Sequence, residues 1–111
     1  MPDPVDDLRR DYRPRFLAYL TRRDEDGLTA AYDLGRRSIR ADIGLLDLVR
    51  VHHEVYVEVV ATARDVDEAR ELAAAAAAFL LEALAPFEMT QRGFMAGGGL
   101  DSPRAGGGRD R

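Results

Sequence analysis

Phe79-Leu-Leu-Glu-Ala-Leu-Ala-Pro-Phe-Glu-Met-Thr-Gln-Arg-Gly-Phe94 follows an unbroken run of alanines, Ala73 to Ala78. Strong helix formers fill both stretches, so together they read as one long helix. Wound at about 3.6 residues per turn, Phe79, Leu80, Ala83, Leu84 and Phe87 make one apolar stripe. Leu81 and Ala85 lie one turn apart on a second face, and Glu82 is the one charge between Phe79 and Phe87. A surface helix of a small domain needs a single apolar stripe against its core. This helix is apolar nearly all round, which predicts two coverings: its own domain and something else.

The rest of the chain supplies the domain. With 111 residues it is long enough for one core and too short for two. A hydrophobic content of 46% with 32% charged residues suits a folded domain rather than a disordered one. There is no cysteine, which excludes a disulfide framework, thiolate chemistry and cysteine-ligated zinc. The opening Met-Pro-Asp-Pro-Val-Asp-Asp is acidic and poor in apolar residues, unlike a signal peptide. No unbroken apolar run reaches the length of a membrane span, so the expected address is cytoplasmic, away from membranes. A net charge of −4 and a pI of about 5.1 argue against a nucleic-acid partner. All 16 basic residues are arginine, which with the abundant alanine and glycine reads as the codon bias of a GC-rich genome.

Three further helices are predicted. From Val5 to Leu20 the apolar residues Val5, Leu8, Tyr12, Phe16, Tyr19 and Leu20 step by threes and fours. Pro14 within that pattern predicts a kink or a helix start. Asp24-Glu-Asp-Gly27 reads as a turn, with Asp24 or Asp26 capping a second helix from about Leu28 to Ala41. Its expected inner face is Leu28, Ala31, Tyr32, Gly35 and Ile39. Gly35 costs about 1 kcal/mol in a helix interior, which makes sense where another helix crosses closely. After Asp42-Ile-Gly44, the stretch Leu45 to Ala63 alternates like a strand at Val55, Val57 and Val59. It is too long for a strand without a turn residue, and Leu45, Leu48, Val49, His52, Val55, Tyr56, Val59 and Val60 follow a helical face. Asp65 with Glu68 three residues on resembles a capping box that launches the long helix. That helix should reach Arg92 and bend near Pro86. The segment 96–111 is glycine-rich and reads as a disordered tail after a domain spanning 5–95.

No catalytic constellation emerges, so neither a cofactor nor a metal is expected. His52 and His53 are adjacent and diverge by about 100° on a helix, unlike the i, i+4 ligand spacing. His52 falls on the apolar face, which suits a core histidine. Arg36, Arg37 and Arg40 could receive an anion, but Asp33 one turn earlier favours a solvated face with ion pairs along the helix. Ser38 lies among them without a base to activate it. The glycine clusters lie in the tail, where no phosphate loop is built. The alternatives are a helix-turn-helix-like DNA-binding regulator or a small metal-dependent enzyme. The helix after Asp42-Ile-Gly44 carries Asp47, Glu54 and Glu58 against Arg50, the wrong polarity for a phosphate surface.

Three blocks taken together resemble the N-terminal regulatory domain of the RsbU-type phosphatases in its actinobacterial form. They are Ala31-Tyr-Asp-Leu-Gly-Arg36, Leu45-Leu-Asp-Leu-Val-Arg-Val-His-His53, and Phe79 to Met89 followed by Arg92-Gly-Phe94. The resemblance spans roughly residues 5–94, and the third block is the most specific. It implies an all-α four-helix bundle, similar to the C-terminal domain of the KaiA clock protein, with a long last helix. It also implies a homodimer that receives an RsbT-like switch kinase in partner-switching control of a sigma factor. The phosphatase domain of that family has no counterpart here, so its catalysis is not carried over.

The resemblance and the two-faced helix combine into one expectation. Phe79, Ala83 and Phe87 pack inward, while Leu81 and Ala85 form a partner groove or dimer seam with Thr29 as a neighbour. Simple bundle core is the competing reading for Leu81 and Ala85. Met89, Arg92 and Phe94 are expected to anchor the helix end or the dimer.

Overall fold

The computed structural model describes residues 3–96, with side chains through residue 91. Four helices follow in order: α1 (Pro4–Arg22), α2 (Glu25–Arg40), α3 (Leu45–Val60) and α4 (Val66–Ala96). No strand occurs among the described residues. The expected tail at 96–111 lies outside them, apart from Ala96, which closes α4. α1 and α4 form the central pair, and each packs on all three other helices. α2 and α3 flank that pair and scarcely meet.

The helix ends are set by local chemistry. Asp3 caps α1 by accepting from the Val5 amide at 2.9 Å, with Pro4 in the first turn, where no donor is needed. α1 therefore begins well before Pro14, which lies inside it on an exposed face. Water can solvate the Arg10 carbonyl that Pro14 leaves without an amide partner. Arg23 ends α1 in the left-handed region at φ 53°, its amide donating to the Tyr19 carbonyl and its Nε to the Leu20 carbonyl.

Of the two candidate caps for α2, Asp24 is used, accepting from the Gly27 amide at 2.9 Å. Gly27 thus belongs to the first turn of α2 rather than to the loop. It packs against Tyr19, whose Cδ1 would lie 2.6 Å from a Cβ placed there. Asp42-Ile-Gly44 is a Schellman stop: Asp42 sits at φ 60°, its amide donates to the Ile39 carbonyl, and the Ile43 amide donates to the Ser38 carbonyl. Ile43 is consequently drawn into the core.

α4 opens on half of the expected capping box. Asp65 accepts from the Glu68 amide at 2.8 Å, as anticipated. Glu68 reaches back one residue further than usual, to the Arg64 amide at 2.6 Å and to its guanidinium. Those bonds hold the Glu68 carboxyl below the usual carboxylate range.

The core centres on Tyr12, Phe16, Leu34, Leu48, Val51, Phe79 and Ala83, all essentially inaccessible. Phe16 and Phe79 stack with centroids 5.0 Å apart, and Tyr12 meets both edge-on. On α2 the buried row is Ala31, Leu34, Gly35 and Ser38, rotated slightly from the expected face. Ser38 can occupy that row because its hydroxyl donates to the Leu34 carbonyl at 2.8 Å. Gly35 is where α2 and α4 meet: a Cβ there would fall 2.0 Å from the Ala83 carbonyl oxygen and 3.1 Å from Pro86 Cγ. α4 runs through the buried Pro86 as one helix.

A candidate interaction groove

Among the described residues no helix covers the face of α4 opposite Phe79. Ala73, Ala74 and Ala77 are exposed, and Leu81 is 67% exposed although its neighbours on the helix fill the core. Leu45, at the start of α3, is 45% exposed and faces the same side. Between them lies an open groove of about 480 Å³, lined by Leu45, Leu81, Leu84, Ala85, Phe87, Glu88 and Gln91. A second groove of about 410 Å³ lies between the end of α2 and the C-terminal half of α4, with Ile39, Ile43 and Phe87 as its apolar walls. Phe87 and Gln91 line both grooves. The result is an apolar surface wrapped around the α2–α3 corner.

Leu81 and Ala85 therefore share one groove, and Leu81 is not core. Phe79 and Ala83 face inward as expected, whereas Phe87 is half-buried and forms a groove wall. Thr29 does not join them. It is exposed on α2, one turn before Tyr32, and does not line the groove. Tyr32 instead donates its hydroxyl to the Met89 sulfur at 3.6 Å, so Met89, 54% exposed, is tied to α2 at a different edge. Arg92 and Phe94 fall in the last turns of α4, where the side chains lie outside the described residues. Leu45 was expected on the core face of α3. It lies in the first turn, at the edge of the core, and becomes a groove wall.

The polar candidates are absorbed by structure. His52 is 7% exposed, and its Nδ1 lies 2.7 Å from the hydroxyl of the fully buried Tyr12. Tyr12 has no other hydrogen-bond partner among the described residues, so its O–H donates and Nδ1 accepts, leaving His52 as the neutral Nε2–H tautomer. Burial, with a smaller push from His53, lowers the His52 imidazole to about 4. Burial likewise raises the Tyr12 hydroxyl far above the ordinary phenol range. Neither group lines either of the two grooves. Arg37 pairs at 2.6 Å with Asp11 on α1 rather than with Asp33 on its own helix. That contact holds Asp11 below its usual carboxylate range. Among the described residues no group of three potential metal ligands converges.

By length and mean hydropathy of 1.6, Val66–Gln91 would suffice to cross a membrane. The same helix supplies Phe79 and Ala83 to the core and Gly35 its contact, which accounts for much of its apolar content. No curated protein and no solved structure gives a significant match to the chain. Residues 10–90 match the family model of the N-terminal domain of the phosphoserine phosphatase RsbU.

Proposed function

Because the chain belongs to the family of RsbU N-terminal domains, a regulatory rather than a catalytic domain, we propose that residues 5–95 form a non-catalytic dimerisation and docking module. It works in a cytoplasmic partner-switching pathway that answers stress through a sigma factor. Its proteinaceous ligands are a second copy of the chain and an RsbT-like switch kinase, received on the apolar surface that includes Leu81 and Ala85, with Met89 at its edge.

One observation carries this reading. Leu81 stands 67% exposed on the helix that builds the core, beside a groove whose other apolar walls are Leu45, Leu84, Ala85 and Phe87. A contiguous apolar surface of this kind marks interaction sites in soluble proteins. Leu81→Asp tests it on the full chain. A substitution at such an exposed position shifts stability by about 0.5 kcal/mol, with a few tenths more from the lower helix propensity of aspartate. The helical circular dichroism signal should therefore stay unchanged while self-association in sedimentation velocity, or binding of an RsbT-like kinase in calorimetry, weakens at least tenfold. Wild-type protein that stays monomeric and ignores the kinase sinks the reading.

A further inference from the structure

The α1–α3 seam has an unusual centre. His52 projects from the middle of α3 onto Tyr12 and Phe16 of α1, with ring centroids 5.8 Å away for Tyr12 and 4.8 Å for Phe16, and both of those rings pack in turn on Phe79 of α4. Its hydrogen bond to Tyr12 is buried, and it joins two helices. Among the described residues no carboxylate is hydrogen-bonded to the ring. From α1 the polar group facing it is the Tyr12 hydroxyl, and on α3 itself the neighbours are His53 and Tyr56, while α4 joins the cluster through Phe79, which packs on Tyr12 and Phe16. The charged pairs Arg9–Glu54 and Arg13–Glu58 lie on the exposed side of the same seam. α2 is docked elsewhere, against α4 through Gly35.

We propose that His52 is an acid-sensitive latch whose protonation frees α3 from α1 and α4 while α2 and α4 stay docked. A protonated ring can only donate to the Tyr12 oxygen, which leaves the buried hydroxyl proton without an acceptor, and the cation would lie among aromatic rings with no hydrogen-bonded counter-ion. Opening α3 lets the imidazole take a proton in water, so acid favours the opened form. Leu45 leaves with α3, and the Leu81 groove loses a wall. The bearing on partner docking rests on the function proposed above, whereas the latch itself does not.

The sign and size follow from linkage. The imidazole is held at about 4 in the closed form, against an ordinary value near 6.5, so the opening equilibrium rises by about twentyfold between pH 7 and pH 5. That window lies above the ordinary carboxylate range, which separates the imidazole from the ion pairs of the seam. The test is a heteronuclear NMR titration of the full chain from pH 7 to pH 5, following the His52 ring and amide protection in each helix after correction for intrinsic exchange. The expected result is a rise of about twentyfold in opening of α3, with little change in α2 and the Gly35-facing part of α4, and its loss in His52→Gln. An equal rise in His52→Gln, or all four helices opening together, overturns the latch. Should His52→Gln not fold, the wild-type titration still decides. A wild-type α3 whose opening does not rise between pH 7 and pH 5, or rises no more than that of the other helices, refutes the idea.

Discussion

Where α2 crosses α4, two backbones meet; where α1 lies along α3, side chains make the junction. At the first seam Gly35 lets the chain approach until its missing Cβ would overlap the Ala83 carbonyl. At the second, Tyr12 and His52 share one buried hydrogen bond, with ion pairs outside it. The first contact rests on shape and responds little to solution conditions. The second rests on a protonation state and on charge. One bundle thus carries a fixed seam and a conditional one.

Gly35→Ala should have the largest effect. A methyl group normally favours a helix by about 1 kcal/mol over glycine. Here it would stand 2.0 Å from a backbone oxygen, so α2 and α4 must separate. The net cost should be about 3 kcal/mol, with a fall in Tm of the order of 15 °C. Ala83→Gly should not rescue it, because the obstructing atom is main chain. Urea unfolding of both variants checks this. A Gly35→Ala protein as stable as wild type would show that the crossing has slack.

This contact was legible in the sequence, because a glycine amid good helix formers carries a cost that close packing can offset. The inward row of Phe79 and Ala83 was legible for a similar reason, since the apolar residues there repeat at the helical period. Length settled α3 as a helix against its alternating valines. Phase was harder. α2 buries Ser38 rather than Tyr32 or Ile39, and a serine reads as polar until its hydroxyl is seen to bond its own helix. The Schellman stop hid Ile43, which looked like loop and proved to be core. Of the site, Leu81 was visible as surplus apolar surface. Its companions Leu45, Phe87 and Gln91 were not, because a groove wall depends on where one helix ends against another. Pairs such as Arg13–Glu58, 45 residues apart, carry no local signal at all.

Tyr12→Phe probes the conditional seam with the next largest effect. The ring still packs on Phe16 and Phe79, but Nδ1 of His52 loses its donor in a buried site. The loss should be about 2 kcal/mol at pH 7, read from urea unfolding. A change below about 0.5 kcal/mol would mean that water replaces the hydroxyl and that the seam is wetter than its burial implies.

The smallest effect is expected outside the seam, from Arg13→Gln. Arg13 and Glu58 bridge α1 and α3 with side chains about half exposed, 50% and 58%. Water screens such a pair and ordering two long side chains opposes it, so its removal should cost less than about 1 kcal/mol. The difference from wild type should shrink further in about 0.5 M salt, where screening acts within a few ångströms. If the buried hydrogen bond carries the seam, Tyr12→Phe and Arg13→Gln must differ clearly in size, and only the second difference must fade with salt. A large, salt-sensitive loss in Arg13→Gln would move the weight of the α1–α3 junction to its surface. The contrast with the glycine crossing would then be one of charge against shape, with the imidazole a bystander.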